Sequence, residues 1–101
     1  MKEKRQIVRD RIRLFRSLFR GLDEVYGTWD LATGRGRQVK QPVSDRVIYE
    51  HLRGVQPFGV YLLVKDRTAA VAVDFDEPGL ETPVRFAQLA HRHGIQAYIE
   101  I

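Results

Sequence analysis

Apolar residues along this chain change their spacing partway, and the change divides it into two halves. From Lys4 to Arg20, Val8, Ile12, Phe15 and Phe19 recur at the helical period, with Ile7, Leu14 and Leu18 widening the stripe. This predicts a long amphipathic helix stopped by Gly21. Periodicity is lost between Tyr26 and Pro42, where Gly27, Gly34, Gly36 and Pro42 punctuate the chain. Two short strands, Gly27–Leu31 and Arg37–Gln41, are expected there, closed by the basic turn Thr33-Gly34-Arg35-Gly36-Arg37. A shorter helix is expected over Asp45–Arg53. Ser44 is its N-cap, Asp45 suits its first turn, Ile48 and Leu52 face the core, and Gly54 ends it. His51 reads as a surface or boundary residue.

The second half reads as strand, strand, helix, strand. Gly59–Lys65 is apolar enough for a buried strand, and Lys65-Asp66-Arg67-Thr68 suits a hairpin turn. Ala69–Asp76 follows as a second strand, broken by Glu77-Pro78-Gly79. Thr82 and Pro83 signal a helix start. That helix runs to about His93, packs through Val84, Ala87, Leu89 and Ala90, and stops at Gly94. Ile95–Ile101 is the last strand, with Ile95, Ala97, Ile99 and Ile101 on one face. A strand–helix–strand order implies a right-handed parallel crossover. The fold class expected is α+β: a basic N-terminal helix and a short helix, followed by a β-β-α-β unit. The 101 residues form one domain, with residues 1–54 as the basic helical and loop element and 55–101 as the ββαβ unit.

Composition narrows the function. Hydrophobic content of 44% and charged content of 30% describe a globular chain. The net charge of +4 and a pI near 9.8 favour an anionic partner such as nucleic acid or nucleotide. Arg5, Arg9, Arg13, Arg16 and Arg20 fall within about 80° of one another on the helical wheel, at ~100° per residue. They form a single-sign stripe beside the apolar one. Arg11 projects into the apolar arc. Arg35 and Arg37 add positive charge in the Gly-rich turn. With no cysteine, the chain has no disulfide, zinc ribbon or thiol nucleophile. No apolar run is long enough to span a membrane and no secretory signal is present, so the expected location is the cytoplasm.

The chemistry concentrates in Val73-Asp74-Phe75-Asp76. On a strand, Asp74 and Asp76 share a face about 6–7 Å apart. Two carboxylates so placed repel each other unless a divalent cation joins them, and Mg²⁺ or Mn²⁺ takes oxygen ligands of this kind beside phosphates. Glu100, on the polar face of the last strand, is a third candidate ligand. The competing reading ends the strand near Val73 and makes 74–78 an acidic turn. His91 and His93, two apart on a helix, do not share a face and form a poor metal pair.

Five segments in order carry a family likeness: Arg11 to Gly21, Asp23-Glu24-Val25-Tyr26, His51-Leu52-Arg53-Gly54, Phe58-Gly59-Val60-Tyr61-Leu62-Leu63 and Val73-Asp74-Phe75-Asp76. Together they resemble the N-terminal portion of an archaeo-eukaryotic primase (primase-polymerase) domain, in the branch found in TOTE-type conflict systems. The resemblance implies an RRM-like fold with an added N-terminal element. It implies metal-dependent nucleotidyl transfer in DNA replication, with nucleoside triphosphate and a single-stranded or template-primer nucleic acid as partners. The family's first catalytic motif, hydrophobic-Asp-hydrophobic-Asp, lands on Asp74 and Asp76 as ligands of Mg²⁺ or Mn²⁺. Its Ser-x-His-like element and third aspartate have no counterpart here, nor does the cysteine cluster some members carry. The resemblance therefore implies a chain incomplete for catalysis alone. Two other readings stand beside it: a non-catalytic nucleic-acid-binding or regulatory module, and a piece that completes its sheet through self-association or with another domain.

Overall fold

The computed structural model describes residues 3–100 of the chain. Among them are three helices and four short strands, an α+β arrangement. The chain divides into two units, one running through Val71 and one from Ala72 onward.

The first unit is organised around Ile12, Ile48 and Phe58. Helix α1 spans Lys4–Leu18 and buries Ile12, while α2 spans Asp45–Leu52 and buries Ile48 to 1% exposure. Val8, Phe15, Tyr26, Val43, Val47 and Val60 pack around these three. The α1 stripe is narrower than its sequence suggests, because Ile7, Leu14, Leu18 and Phe19 are exposed. Leu52, expected in the core, is also exposed. A core built on three side chains has room for only one residue per helical turn from each partner. Ser44 caps α2 as expected, its Oγ accepting from the Val47 N–H at 3.3 Å. Gly54, just beyond α2, takes a φ of +74° and accommodates the left-handed turn that ends the helix.

His51 is a boundary residue, as expected, with a partner that its sequence position does not reveal. It is half-buried; its Nδ1 accepts the Phe58 N–H at 3.1 Å, and its ring lies 5.3 Å from that of Phe15 and 6.1 Å from that of Phe58. The segment after α2 is thereby fastened to the helix it has just left.

Strands β1 (Tyr26–Trp29) and β2 (Gly36–Val39) form the expected hairpin, with Tyr26 opposite Val39 and Trp29 opposite Gly36. Its loop is fixed by Asp30. The carboxylate Oδ1 accepts from the N–H groups of Ala32 (2.8 Å) and Thr33 (2.9 Å), and the Asp30 N–H donates to the Arg35 carbonyl. The Thr33 and Ala32 N–H groups hold the Asp30 carboxyl below its ordinary range, helped by the Thr33 hydroxyl and opposed by slight desolvation. On the other side of β1, a single antiparallel bridge joins Gly27 to Gly59.

The Gly59–Lys65 strand contracts to β3 (Leu63–Val64). It pairs with β4 (Arg67–Thr68) across a tight turn at Lys65-Asp66, where Lys65 has a φ of +57°. The strands expected over Ala69–Asp76 and from Ile95 are irregular backbone instead, and Ile101 lies outside the described residues. All pairing among the described residues is antiparallel, with no parallel crossover. Alternation marks which face of a segment is apolar, but a strand exists only where a second segment accepts its backbone hydrogen bonds. Neither segment has that partner among the described residues, and Val71 is 80% exposed.

In the second unit, α3 spans Glu81–Arg92, close to its expected limits. Leu80, not Thr82, holds the N-cap position, and the Thr82 hydroxyl instead donates to the Glu77 carboxylate at 3.2 Å. Ala90 is buried and Ala87 half-buried, whereas Val84 and Leu89 are exposed. Among the described residues, no helix is long and apolar enough to cross a membrane.

Two outcomes follow from this architecture. After α1 the chain presses on residues 60–61, and the Leu22 N–H donates to the Tyr61 carbonyl at 2.9 Å. A Cβ on Gly21 would collide with that carbonyl oxygen and with Val60 Cγ2. Gly21→Ala is therefore expected to cost about 1–3 kcal/mol in denaturant unfolding, whereas Gly36→Ala, with only the Thr28 carbonyl oxygen nearby at 3.9 Å, stays within roughly 0.5 kcal/mol. The second concerns pH. A carboxyl whose folded pKa is depressed contributes stability above its unfolded value, and loses it as pH falls through the folded value. The pH titration of the Ala32 and Thr33 amide resonances should therefore have its midpoint below 3.8, the ordinary value of the carboxyl. Shifts complete above pH 4 would show that the carboxylate does not hold the loop.

Candidate functional site

The acidic pair lies in the irregular segment leading to α3. Asp74 and Asp76 are both exposed, on either side in sequence of the half-buried Phe75. Phe75 is the anchor. Its ring meets that of Phe86 on α3 at 5.7 Å, edge to face, which fixes the segment to the helix. Neither carboxylate has a hydrogen bond or ion pair among the described residues, although Glu77, one residue on, is engaged by Thr82. The acidic pair is thus held by an aromatic contact, not by a β-ladder.

The donor set suits a hard divalent cation of the magnesium type. Such an ion keeps several waters and is held by one or two carboxylates with phosphate oxygens completing its shell, and Asp74 and Asp76 are donors of that kind, although the strand expected to set them on one face is absent. No group of three or more His, Cys, Asp or Glu side chains suited to a metal forms among the described residues, so Glu100, exposed in the irregular segment after α3, is not drawn into a cluster with them. His91 and His93 fall in the last turn of α3 and at its C-cap.

The arginines separate into two kinds. Arg5, Arg9 and Arg13 are exposed along α1, and Arg11 is exposed as well. Arg16 differs: its Nε donates to Asp45 Oδ1 at 3.1 Å and its terminal nitrogen to the Val43 carbonyl at 2.7 Å. It braces α1 against the start of α2. No local signal in the sequence pairs these residues, which stand 29 positions apart. Arg20 falls beyond the end of α1, so the helical wheel no longer governs its direction. With Arg67, it instead borders a shallow cavity of about 310 Å³ lined by Gly21, Leu62, Val64, Thr68 and Ala69. Arg67, which the sequence places in a turn, is the basic residue of this group that reasoning from periodicity passes over. Arg35 and Arg37 are exposed on the first hairpin, as expected.

A larger cavity of about 420 Å³ lies beside α2, lined by Ile12, Asp45, Arg46, Tyr49, Glu50 and Arg53. Its charges are internally balanced. Arg46 pairs with Glu50 at 3.2 Å and Arg53 stacks over the Tyr49 ring at 5.3 Å, so it offers no net field to an anion.

Comparison with known families gives one match. The model of the TOTE conflict system, Archaeo-Eukaryotic Primase domain, matches residues 32–101, a span that includes β2, α2, the acidic pair and α3 but not α1 or β1. No curated protein and no solved structure matches the chain. A match over more than half of the chain, containing the Val73-Asp74-Phe75-Asp76 segment, places this protein in the archaeo-eukaryotic primase domain family of TOTE conflict systems.

Proposed function

We propose that this chain supplies the metal-binding and nucleic-acid-engaging portion of a primase-like nucleotidyltransferase domain, with Asp74 and Asp76 as ligands of Mg²⁺ or Mn²⁺. A nucleoside triphosphate and a single-stranded or template-primer nucleic acid are its partners. One observation carries the reading. The family match covers Asp74 and Asp76, and both carboxylates are exposed and unpaired among the described residues. When bound, a divalent ion neutralises and orients triphosphate oxygens. The protein's own part is to present two oxygen donors on a segment anchored by Phe75 and to attract polyanions through its exposed arginines.

The arginine stripe supports the nucleic-acid half of this reading in a reduced form. Arg5, Arg9 and Arg13 keep their guanidinium groups in solvent on one sector of α1, while Arg16 is committed to the fold. Phosphate contacts of this kind position a strand without reading its sequence.

Titration with Mn²⁺ tests the metal site, because a paramagnetic ion broadens the NMR signals nearest to it. Broadening is expected first at the amides of residues 74–77, at millimolar Mn²⁺, and Asp74→Asn with Asp76→Asn should abolish it. Broadening centred on His91 and His93, or unchanged in the double variant, would refute the assignment and favour a non-catalytic module.

Salt dependence tests the stripe. Replacing Arg5, Arg9 and Arg13 by Gln should weaken binding to single strands of any sequence. It should also flatten the plot of log affinity against log salt by about 0.7 for each phosphate that is no longer neutralised. Arg16→Gln should behave differently, leaving the slope unchanged while lowering folding stability by about 1 kcal/mol. A triple variant with the parental slope would reduce the stripe to a solvated helix face.

A further inference from the structure

The outer face of the first hairpin carries two exposed aromatic rings on a surface that is otherwise almost bare. Side chains alternate along β1 and β2, so Gly27, Trp29, Gly36 and Gln38 share one face, and Tyr26, Thr28, Arg37 and Val39 the other. The second face is the core side. Thr28 is buried, with its hydroxyl donating to the Pro57 carbonyl at 2.6 Å, and the Tyr26 ring packs on Phe58 at 5.6 Å. Trp29 therefore points outward. The bridge between Gly27 and Gly59 extends this outer face to Gly59, and Tyr61, two residues on, returns to it.

The two rings lie diagonally over the two bridged glycines. A Cβ on Gly59 would sit 3.8 Å from Trp29 Cζ3, and one on Gly27 would sit 3.6 Å from the Tyr61 hydroxyl. Directly across from Trp29 stands Gly36, where a Cβ would meet only the Thr28 carbonyl oxygen. No β2 side chain therefore covers the indole from that side. Aromatic cover over strand glycines stabilises a sheet and accounts for the inner face of each ring. It does not account for the outer area: Trp29 is 40% and Tyr61 37% exposed. Nor does the Trp29 indole N–H find an acceptor among the described residues. The Trp29 backbone is held in place, since Gln56 donates from Nε2 both to the Thr28 hydroxyl and to the Trp29 carbonyl.

Charge chooses the occupant. Arg35 in the hairpin loop and Lys40 just past β2 are exposed, Arg37 is exposed on the opposite face, and the single carboxylate, Asp30, is turned into its own loop. A flat aromatic surface rimmed by cations fits a stacked base on a phosphodiester backbone, where rings take the base and cations the phosphates. We infer that Trp29 and Tyr61 form a base-stacking platform for single-stranded nucleic acid on the outer face of this hairpin. The inference rests on the nucleic-acid half of the function proposed above and adds the place where bases are held.

The chain has one tryptophan, so its intrinsic fluorescence reports on this platform alone. The full chain would be titrated with a thymidine homopolymer strand and with an abasic strand of the same length and charge. The platform requires that the base-bearing strand quench Trp29 while the abasic strand does not, and that the base-bearing strand bind more tightly. Trp29→Ala should remove at least about fivefold of that advantage. Gly36→Ile, which places a side chain beside the indole without touching the ring itself, should do the same and guards against loss of folding in the first variant. Equal quenching by both strands, or binding of the base-bearing strand without quenching, would overturn the platform and leave the nucleic-acid reading standing. Failure of both strands to bind would overturn both readings.

Discussion

Two hydrogen bonds between glycines hold the first unit of this protein in register. The Gly27 N–H donates to the Gly59 carbonyl at 2.8 Å, and the Gly59 N–H returns to the Gly27 carbonyl at 2.7 Å. This closely spaced pair admits no slippage, and everything adjacent inherits its position. Phe58, one residue before Gly59, is directed into the core against Phe15 and Tyr26, and its N–H is placed to meet His51. Val60, one residue after, joins the same core, while Tyr61 is turned outward and its carbonyl receives the Leu22 N–H. The chain leaving α1, the hairpin and the segment after α2 thus meet at one point. The rings of Trp29 and Tyr61 lie over these two glycines, at distances where a Cβ would be in ordinary van der Waals contact with them.

Around this junction the basic residues divide according to whether the fold has a use for them. Arg16 is consumed in holding α1 to α2, with a carboxylate on one side and a backbone carbonyl on the other. A guanidinium with two acceptors in a partly buried setting is a strut, and its charge is largely cancelled locally. Arg5, Arg9 and Arg13 have no such claim on them and leave one sector of α1 positive. A field of one sign is costly for a small domain through self-repulsion, and a polyanion such as the nucleic acid proposed above would offset it.

The acidic segment follows a different logic. Its two carboxylates are not stabilised by neighbours; they are presented. Phe75 secures the backbone by packing on Phe86, and the aspartates beside it stay in solvent. A pair of like charges that is neither bonded nor buried contributes nothing to folding, and the binding role proposed for it rests on the family match that covers it.

Much of the local structure was already determined by the sequence. The three helices follow from apolar spacing and end signals, since their hydrogen bonds close within a few residues and their stop signals are local. Ser44 caps α2, and Gly54 and Gly94 adopt the left-handed conformation just past two helix ends. The first hairpin was legible from its glycines. What the sequence left open is whatever depends on a distant partner. The strands expected over Ala69–Asp76 and from Ile95 have the alternation of strands but no ladder partner among the described residues. Arg16 reads as one more member of a charged stripe until Asp45 and Val43 come within reach, and His51 as a boundary residue until Phe58 folds back onto it. Periodicity encodes which side of an element seeks cover; which residue arrives to supply it is decided by chain segments tens of positions away, and only the tertiary structure brings them together.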